Sequence, residues 1–161
     1  MRIIQRLQKK NKLLDLCVVG LGNPGNKYDR TRHNAGYDFL DRILDIKSLS
    51  LENSKKIDAQ YAEISIGGLS IGFVKPNEFI NLSGKTMSLL KKYKVKSTED
   101  ILVLHDDMDL EPGEVKLKIG GGHAGHNGLR DILNNVGDNF VRLRFGTVSY
   151  THLTLPTRCL V

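Results

Sequence analysis

The sequence predicts a single three-layer α/β/α domain built on a central mixed, mostly parallel sheet. Short apolar runs that end in glycine or polar residues alternate with segments whose apolar residues recur at helical spacing, which is typical of interleaved strands and helices. Two β-rich runs joined by Gly67-Gly68 indicate a hairpin, and its antiparallel pair makes the sheet mixed. No apolar run approaches the roughly 18 residues that a membrane-spanning helix needs.

The predicted elements follow one another with short connections. The strands are LCVV at 16–19, the two arms of AEISIGGLSIGFVK at 62–75, ILVLHDD at 101–107, EVKLKIG at 114–120 and FVRLRFG at 140–146. The helices lie within YDFLDRILDI at 37–46, NLSGKTMSLLKKYKV at 81–95 and a stretch that ends near Val136. For the first two helices the expected buried faces are Phe39, Leu40, Ile43, Leu44 and Ile46, and Leu82, Met87, Leu89 and Leu90.

The formal net charge of +6 comes from the two ends of the chain. Five basic residues and no acid lie within residues 1–14, and Arg158 supplies the remaining charge, so residues 15–157 sum to zero. Bulk basicity therefore gives no evidence that the central part binds nucleic acid. Cys17 and Cys159 form neither a disulfide framework nor a metal-ligand spacing, which favours a reducing, cytosolic setting.

Residues 20–25, GLGNPG, fit the G-x-G-x-x-G pattern of dinucleotide-binding loops and follow a strand. That motif should open a helix whose N-terminus holds a pyrophosphate, whereas Pro24 and the polar stretch NKYDRTRHN follow here. Nor does a second strand end in an acid at the distance that a ribose contact requires. The pattern therefore favours a tight turn with positive φ at its glycines, and leaves a Rossmann-type nucleotide-binding enzyme as the weaker alternative.

Polar residues follow three of the predicted strands, in GLGNPG…RHN, KPNEFIN and HDDMD, and strand ends of this kind meet at one edge of a sheet to form a cleft. His33 is suited to take a proton near neutral pH, and Asp106 is a candidate to orient its ring. Taken alone, His33 fits a cap or surface position equally well. The acids of HDDMD fit turn caps, or a metal site built from His105, Asp106, Asp107 and Asp109.

The glycine-rich segment GGGHAGHNG carries His123 and His126. They would share a metal ion only on one helical turn, which the glycines disfavour, and we expect support roles for both. Asn127 is expected to start the next helix, so that Asn23, Asn81 and Asn127 all stand where a loop meets an element. Each amide alone suits a turn or cap. Together, neutral amides around one histidine suit an ester, amide or ribose ligand and a developing oxyanion.

Basic residues cluster on either side of that segment. Lys116 and Lys118 share one face of a strand, Arg130 follows the loop, and Arg142 and Arg144 alternate on the last strand. This pattern fits a solvated basic face, or a phosphate contact beside the cleft.

Four stretches resemble the bacterial peptidyl-tRNA hydrolases in order and spacing, and together they cover about residues 16–146. They are VVGLGNPGNKYDRTRHNAGYDFLD, KPNEFINLSGK, ILVLHDDMDLEPGEVKLKIGGGHAGHNGLRDI and FVRLRFG. The resemblance implies hydrolysis of the ester that joins a peptide to the 3′ ribose of tRNA. It also implies a cytoplasmic α/β/α monomer with peptidyl-tRNA as its partner and with no metal or organic cofactor.

Matched position by position, the resemblance assigns His33 as the general base that activates water and Asp106 as its orienting partner. It implies that Asn23 and Asn81 position the peptide or the ester. Asn127 would bind the substrate near the scissile bond and help to position water or stabilise the intermediate.

The same matching assigns Tyr28 and Phe79 to aromatic or apolar positions of the cleft. Lys118 and Arg144 match the basic pair that binds the tRNA 5′ phosphate. A non-catalytic RNA-binding module of the same fold is the main alternative, and the presence of the histidine, the aspartate and all three asparagines argues against it.

Both ends of the chain depart from the family pattern. Residues 1–14 are extra, and after Gly146 the family continues with I-G-x-P where this chain reads TVSYTHLTLPTRCLV. VSYTHLTLPT resembles the translation of a transposon-type sequencing adapter. We therefore expect residues 1–14 to be a flexible basic extension, residues 15–147 a hydrolase-like domain incomplete at its C-terminus, and residues 148–161 a non-native tail.

Overall fold

The computed structural model describes residues 13–147; the rest of the predicted extension, residues 1–12, and the predicted tail, residues 148–161, lie outside the described residues. Within that range the strands are β1 (Leu16–Gly20), β2 (Glu52–Ser54), β3 (Ala59–Ile66), β4 (Leu69–Pro76), β5 (Ile101–Asp107), β6 (Val115–Ile119) and β7 (Val141–Gly146). The helices are α1 (Ala35–Lys47), α2 (Ser83–Tyr93) and α3 (Asn127–Val136). Every predicted element is present, and β2 is a short strand that the sequence did not predict. None of these three helices is long and apolar enough to cross a membrane.

The strands form one sheet in the order β2-β3-β4-β1-β5-β7-β6. The central neighbours β4, β1, β5 and β7 pair in parallel, whereas both edges of the sheet pair antiparallel. Of these seven strands, β3 and β6 run against the other five, which confirms the prediction of a mixed, mostly parallel sheet. Gly67 and Gly68 have φ values of 58° and 84° in the turn that closes the predicted hairpin.

Side chains alternate between the two faces of the sheet, so each face has its own core. Cys17 of β1 packs in one cluster with Met87 of α2 and Ile132 of α3. Val18, the next residue, packs in the other cluster with Leu40 of α1. Helices therefore cover both faces, which confirms the three-layer α/β/α arrangement.

Three residues differ from their predicted environments. Ile46, in the last turn of α1, and Leu82, which precedes α2, were expected in buried faces but are 51% and 45% exposed. Leu82 lies outside the helix, so helical spacing does not apply to it. Leu14, which the sequence placed in the extension, is buried and pairs with Val95, so the packed domain includes it.

The glycines of GLGNPG serve close packing more than a turn. A Cβ at Gly20 would lie 2.6 Å from the carbonyl oxygen of Gly36, and one at Gly22 would lie 2.5 Å from the ring of Tyr37. Of the three loop glycines, Gly25 alone has positive φ, 105°, so the predicted positive φ at the other two is wrong. Two short 3₁₀ turns separate this loop from α1, so the loop does not open a helix N-terminus of the dinucleotide-binding kind. The close packing of Gly20 and Gly22 against Gly36 and Tyr37 instead holds the polar segment after β1 against the start of α1.

Candidate active site

The carboxyl ends of the parallel strands surround a cleft, as the sequence predicted. The segment after β1 contributes Asn23 and His33, the segment after β4 contributes Phe79 and Asn81, and the start of α3 contributes Asn127. The polar segments thus meet because their strands end at the same edge of the sheet.

His33 and Asp106 form a direct pair at this edge. Nδ1 of His33 lies 3.3 Å from Oδ1 and 3.2 Å from Oδ2 of Asp106. The aspartate side chain is 3% exposed, whereas that of the histidine is 47% exposed. An ionised carboxylate only accepts hydrogen bonds, so Nδ1 carries the hydrogen and Nε2 keeps a lone pair on the other edge of the ring. A base with an oriented ring and a free lone pair is the chemistry that this geometry offers.

A second histidine, His126, holds the same carboxylate. Its Nε2 lies 3.0 Å from Oδ1 of Asp106, and its Nδ1 accepts the backbone N–H of Leu129 at 3.2 Å, which makes His126 the N-cap of α3. Because a backbone N–H can only donate, Nδ1 must be unprotonated and Nε2 must carry the hydrogen. The predicted helix start at Asn127 is confirmed, and the capping side chain comes from the residue before it.

The two histidines set the charge of Asp106. Burial alone would raise the pKa of this carboxyl, but the hydrogen bonds from His126 and His33 outweigh burial and hold the pKa well below its ordinary value. The hydrogen bond to Asp106 in turn raises the pKa of His33 above its ordinary 6.5, against the opposing effects of partial burial and of Arg32. Nε of Arg32 lies 3.6 Å from Oδ2 of Asp106. Near neutral pH the carboxylate is ionised and favours the protonated form of the base.

The groups of HDDMD do not form the alternative metal site. His105 is buried, its Nδ1 donates to the backbone carbonyl of Asp106 at 2.7 Å, and burial lowers its pKa to about 4, so the ring stays neutral. Asp107 accepts from Arg144 at 2.8 Å and from the backbone of Asp109 at 2.9 Å. Within residues 13–147 the cluster of possible ligand atoms joins Asp106 to His33 and His126 and leaves out His105, Asp107 and Asp109.

The pair of histidines around Asp106 also resembles a set of metal ligands. One atom each of His33, Asp106 and His126 lie within 4.8 Å of one another. A metal ion would need a lone pair on Nε2 of His126. That nitrogen carries a hydrogen as long as Nδ1 accepts the N–H of Leu129, so it has no lone pair to offer. Ligation would therefore break the cap of α3. The donor set fits a hydrogen-bonded base better than a resident metal ion.

Asn23 ties two of the cleft segments together. Its backbone N–H donates to Oδ1 of Asn34 at 2.7 Å, and its carbonyl accepts from Nδ2 of Asn34 at 3.1 Å. Its own Oδ1 accepts the N–H of Ile80 at 2.8 Å, from the segment after β4. With the oxygen engaged, Nδ2 of Asn23 is the end of the amide that can donate to a ligand. Asn81 and Asn127 are exposed on the walls of the same cleft.

Two aromatic side chains form one edge of the cleft. The rings of Tyr28 and Phe79 meet edge to face with their centroids 6.0 Å apart. Phe79 is 46% exposed and lines the cleft, so it offers apolar contact area to a ligand.

The predicted phosphate contacts line a second pocket, which adjoins the cleft through His33, His126 and Asn127. Lys118 of β6 and Arg144 of β7 both line it. Arg144 forms an ion pair with Asp107 at the end of β5, and this pair offsets part of the positive charge of Arg144. Lys118 and Arg144 therefore both stand beside the cleft, and their role as phosphate contacts stays a prediction.

Arg142 shares a face of β7 with Arg144 and lines the same pocket, but the glycine-rich loop engages its guanidinium. It is 2% exposed and donates to the carbonyls of Gly121 and Gly122. The interpretation as a solvated basic face is wrong for this residue because the glycine-rich loop folds over it.

Sequence reasoning missed the contacts that His126 and Arg32 make with Asp106 and the inward position of Arg142. The position of His126 directly before a predicted helix was a signal for its capping role, but not for its contact with Asp106. Arg32 and Arg142 gave no comparable signal.

Known proteins share this sequence and fold. A family model for peptidyl-tRNA hydrolase matches residues 17–152. The peptidyl-tRNA hydrolase of Saccharophagus degradans is 42% identical over 140 residues, covering 84% of this chain and 71% of that protein. That of Rickettsia canadensis is 43% identical over 131 residues, covering 81% and 71%. A crystal structure of peptidyl-tRNA hydrolase from Acinetobacter baumannii matches with a TM-score of 0.77 and 38% identity, covering 87% of this chain and 73% of its own. The chain therefore belongs to the peptidyl-tRNA hydrolase family.

Proposed function

We propose that this chain hydrolyses the ester bond between peptide and tRNA in peptidyl-tRNA and so returns free tRNA to translation. The observation that carries the proposal is the pair of His33 and Asp106, 3.2 Å apart at the edge of a cleft lined by amides. Membership of the peptidyl-tRNA hydrolase family supports the substrate.

In this mechanism His33 is the general base. Its Nε2 takes a proton from water while the water oxygen attacks the ester carbonyl, and a tetrahedral intermediate forms. The carboxylate of Asp106, already hydrogen-bonded to Nδ1, stabilises the imidazolium. Collapse of the intermediate breaks the bond between the carbonyl carbon and the ribose oxygen, and the imidazolium returns its proton to that oxygen. The products are the free peptide acid and tRNA with an intact 3′ ribose.

The three asparagines bind the substrate around the base. Nδ2 of Asn23 donates to the peptide or the ester, because Oδ1 is engaged by Ile80. Asn81 lies on the same wall and holds the peptide. Asn127 is the first residue of α3, where its amide and the positive end of the helix both stabilise a developing oxyanion. Amides serve here because they do not compete with the histidine for the proton.

The tRNA is held beside the cleft rather than by the overall charge of the domain. Lys118 and Arg144 bind the 5′ phosphate in the adjoining pocket. Tyr28 and Phe79 give the substrate an apolar contact surface. A few cations near the cleft are enough to bind RNA although residues 15–157 sum to zero charge.

We further propose that residues 15–147 act as a monomer in the cytoplasm and need no metal or organic cofactor. The tautomer of His126, which keeps its Nε2 hydrogen for Asp106, supports a reaction without a resident metal ion.

The proposal is tested with an N-acetylated aminoacyl-tRNA as substrate. We expect the protein to release the N-acetyl amino acid well above the spontaneous rate, with the tRNA recovered able to accept an amino acid again. Tight tRNA binding without release would instead identify a non-catalytic RNA-binding module. Binding of a dinucleotide in a fluorescence titration, with no release, would identify the Rossmann-type alternative.

A further inference from the structure

A buried arginine holds the glycine-rich loop between β6 and α3 (residues 120–126) from below. Arg142 is 2% exposed, and its two terminal nitrogens donate to the carbonyls of Gly122 and Gly121 at 2.6 and 2.5 Å. Its guanidinium carbon lies 4.8 Å from the centroid of the Phe140 ring, which is fully buried. The planar guanidinium thus spans two consecutive peptide groups, which the single ammonium of a lysine cannot do.

The charge of Arg142 is directed at the loop rather than at an acid. Within residues 13–147 no carboxylate forms an ion pair with it. Asp138, the acid that most favours the charged guanidinium, accepts instead the N–H of Gly121 at 3.3 Å. Burying a cation is costly unless its hydrogen bonds are satisfied, so the loop carbonyls are essential partners of this side chain.

The first half of the loop, residues 120–122, has weaker ties elsewhere. Gly120, Gly121, Ala124 and Gly125 all adopt positive φ, a path that does not form the repeating hydrogen bonds of a helix or strand. Besides its bonds with Arg142, the loop is linked to the sheet by the N–H of Gly120, which donates to the carbonyl of Phe140, just before β7, at 3.3 Å. The bonds from Arg142 are shorter and charge-assisted, and therefore stronger.

The far end of this loop carries two groups of the candidate active site. His126 holds Asp106 through Nε2 and caps α3 through Nδ1, and Asn127 follows it. A shift of the loop would move both relative to His33. A misplacement of about 1 Å in a catalytic arrangement is enough to cost about 100-fold in rate.

We infer that Arg142 is a positioning residue for the hydrolase site, which acts by fixing the glycine-rich loop and through it His126 and Asn127. The inference rests on the proposed function for its effect on turnover. Its effect on the loop is independent of that function.

Arg142→Lys tests this inference because lysine keeps the positive charge and most of the buried stem but loses the two-pronged contact. We expect kcat for release of the N-acetyl amino acid to fall between about 10-fold and 100-fold. The affinity for deacylated tRNA should stay within about twofold, because Arg142 is 2% exposed and its two terminal nitrogens are engaged by loop carbonyls. Arg42→Lys, the same exchange at an exposed position of α1, is the matched control and should retain both values.

The second readout is the ring hydrogen on Nε2 of His126, observed by NMR. In the wild type its bond to Asp106 should slow exchange with water, and Arg142→Lys should make that exchange faster while the melting temperature stays close to that of the wild type. Unchanged kcat and unchanged exchange in Arg142→Lys would overturn the inference. A loss of kcat that only follows a lower melting temperature, with the His126 signal intact, would also overturn it. If the wild type releases no product, the proposed function fails, and the His126 signal still tests the link to the loop.

Discussion

Asparagine in place of Asp106 would keep the shape of the carboxylate but turn one oxygen into an N–H donor. Two ring nitrogens that carry hydrogens meet at this side chain, from His33 at 3.2 Å and from His126 at 3.0 Å. His126 cannot change its tautomer without losing the hydrogen bond that Leu129 donates to Nδ1. The amide oxygen should therefore remain with His126, and the amide nitrogen should face Nδ1 of His33.

The size of the effect follows from this exchange. Nδ1 of His33 would become the acceptor, its hydrogen would move to Nε2, and no lone pair would face the cleft. General-base catalysis contributes about 10²–10⁴ in rate, so we expect Asp106→Asn to lower kcat by about 10³. That corresponds to about 4 kcal/mol of lost transition-state stabilisation, at 1.36 kcal/mol for each tenfold change.

The assay is single-turnover release of N-acetyl amino acid from tRNA, with tRNA affinity and melting temperature measured on the same preparations. The buried position of Asp106 predicts unchanged tRNA affinity. Asp45→Asn, the same exchange at an exposed position of α1, should behave like the wild type. Single-turnover release by Asp106→Asn at the wild-type rate, or a loss of rate matched by an equal loss of tRNA affinity, would refute the reasoning.

The pH dependence, the RNA contact and the packing each give one further prediction. Hydrolysis needs neutral His33, and Asp106 raises the pKa of that ring above 6.5, so kcat/KM should rise with pH through a value above 6.5; a limb at or below 6.5 would contradict this. Lys118→Ala should weaken tRNA binding and reduce the slope of log affinity against log salt by about 0.7 to 0.9, and an unchanged slope would exclude this lysine from phosphate binding. Gly36→Ala should lower the free energy of unfolding by about 1–3 kcal/mol, because its Cβ would overlap a backbone oxygen of β5. Gly122→Ala, with no atom within 4 Å of the added Cβ, should melt close to the wild type, and equal melts for the two variants would contradict the packing argument.

The sequence predicted the cleft because its elements follow simple rules. Polar residues that follow parallel strands collect at one edge of the sheet. This rule alone predicts that Asn23, His33 and Asn81 share one cleft. The contact of His33 with Asp106 followed from the same rule, and the structure has it at 3.2 Å. The roles of these residues in hydrolysis remain predictions that the experiments above test.

The contacts that the sequence missed depend on how loops fold over the sheet. Arg142 and Arg144 have the same spacing on β7 and both line the pocket, yet Arg142 is buried beneath the glycine-rich loop whereas Arg144 pairs with Asp107. Strand periodicity gives the shared face and does not show which position a loop covers. The glycines at positions 20 and 22 likewise fit a nucleotide-binding pattern, and only their contact with α1 shows why a side chain is excluded there.

The central claim is that His33 activates water for ester hydrolysis, and His33→Ala tests it most directly. Single-turnover release of N-acetyl amino acid from tRNA should fall by at least about 100-fold, because the variant lacks the general base. The affinity for the same tRNA should stay within about twofold, because the phosphate contacts lie in the adjoining pocket. Release by His33→Ala at the wild-type rate would contradict the account.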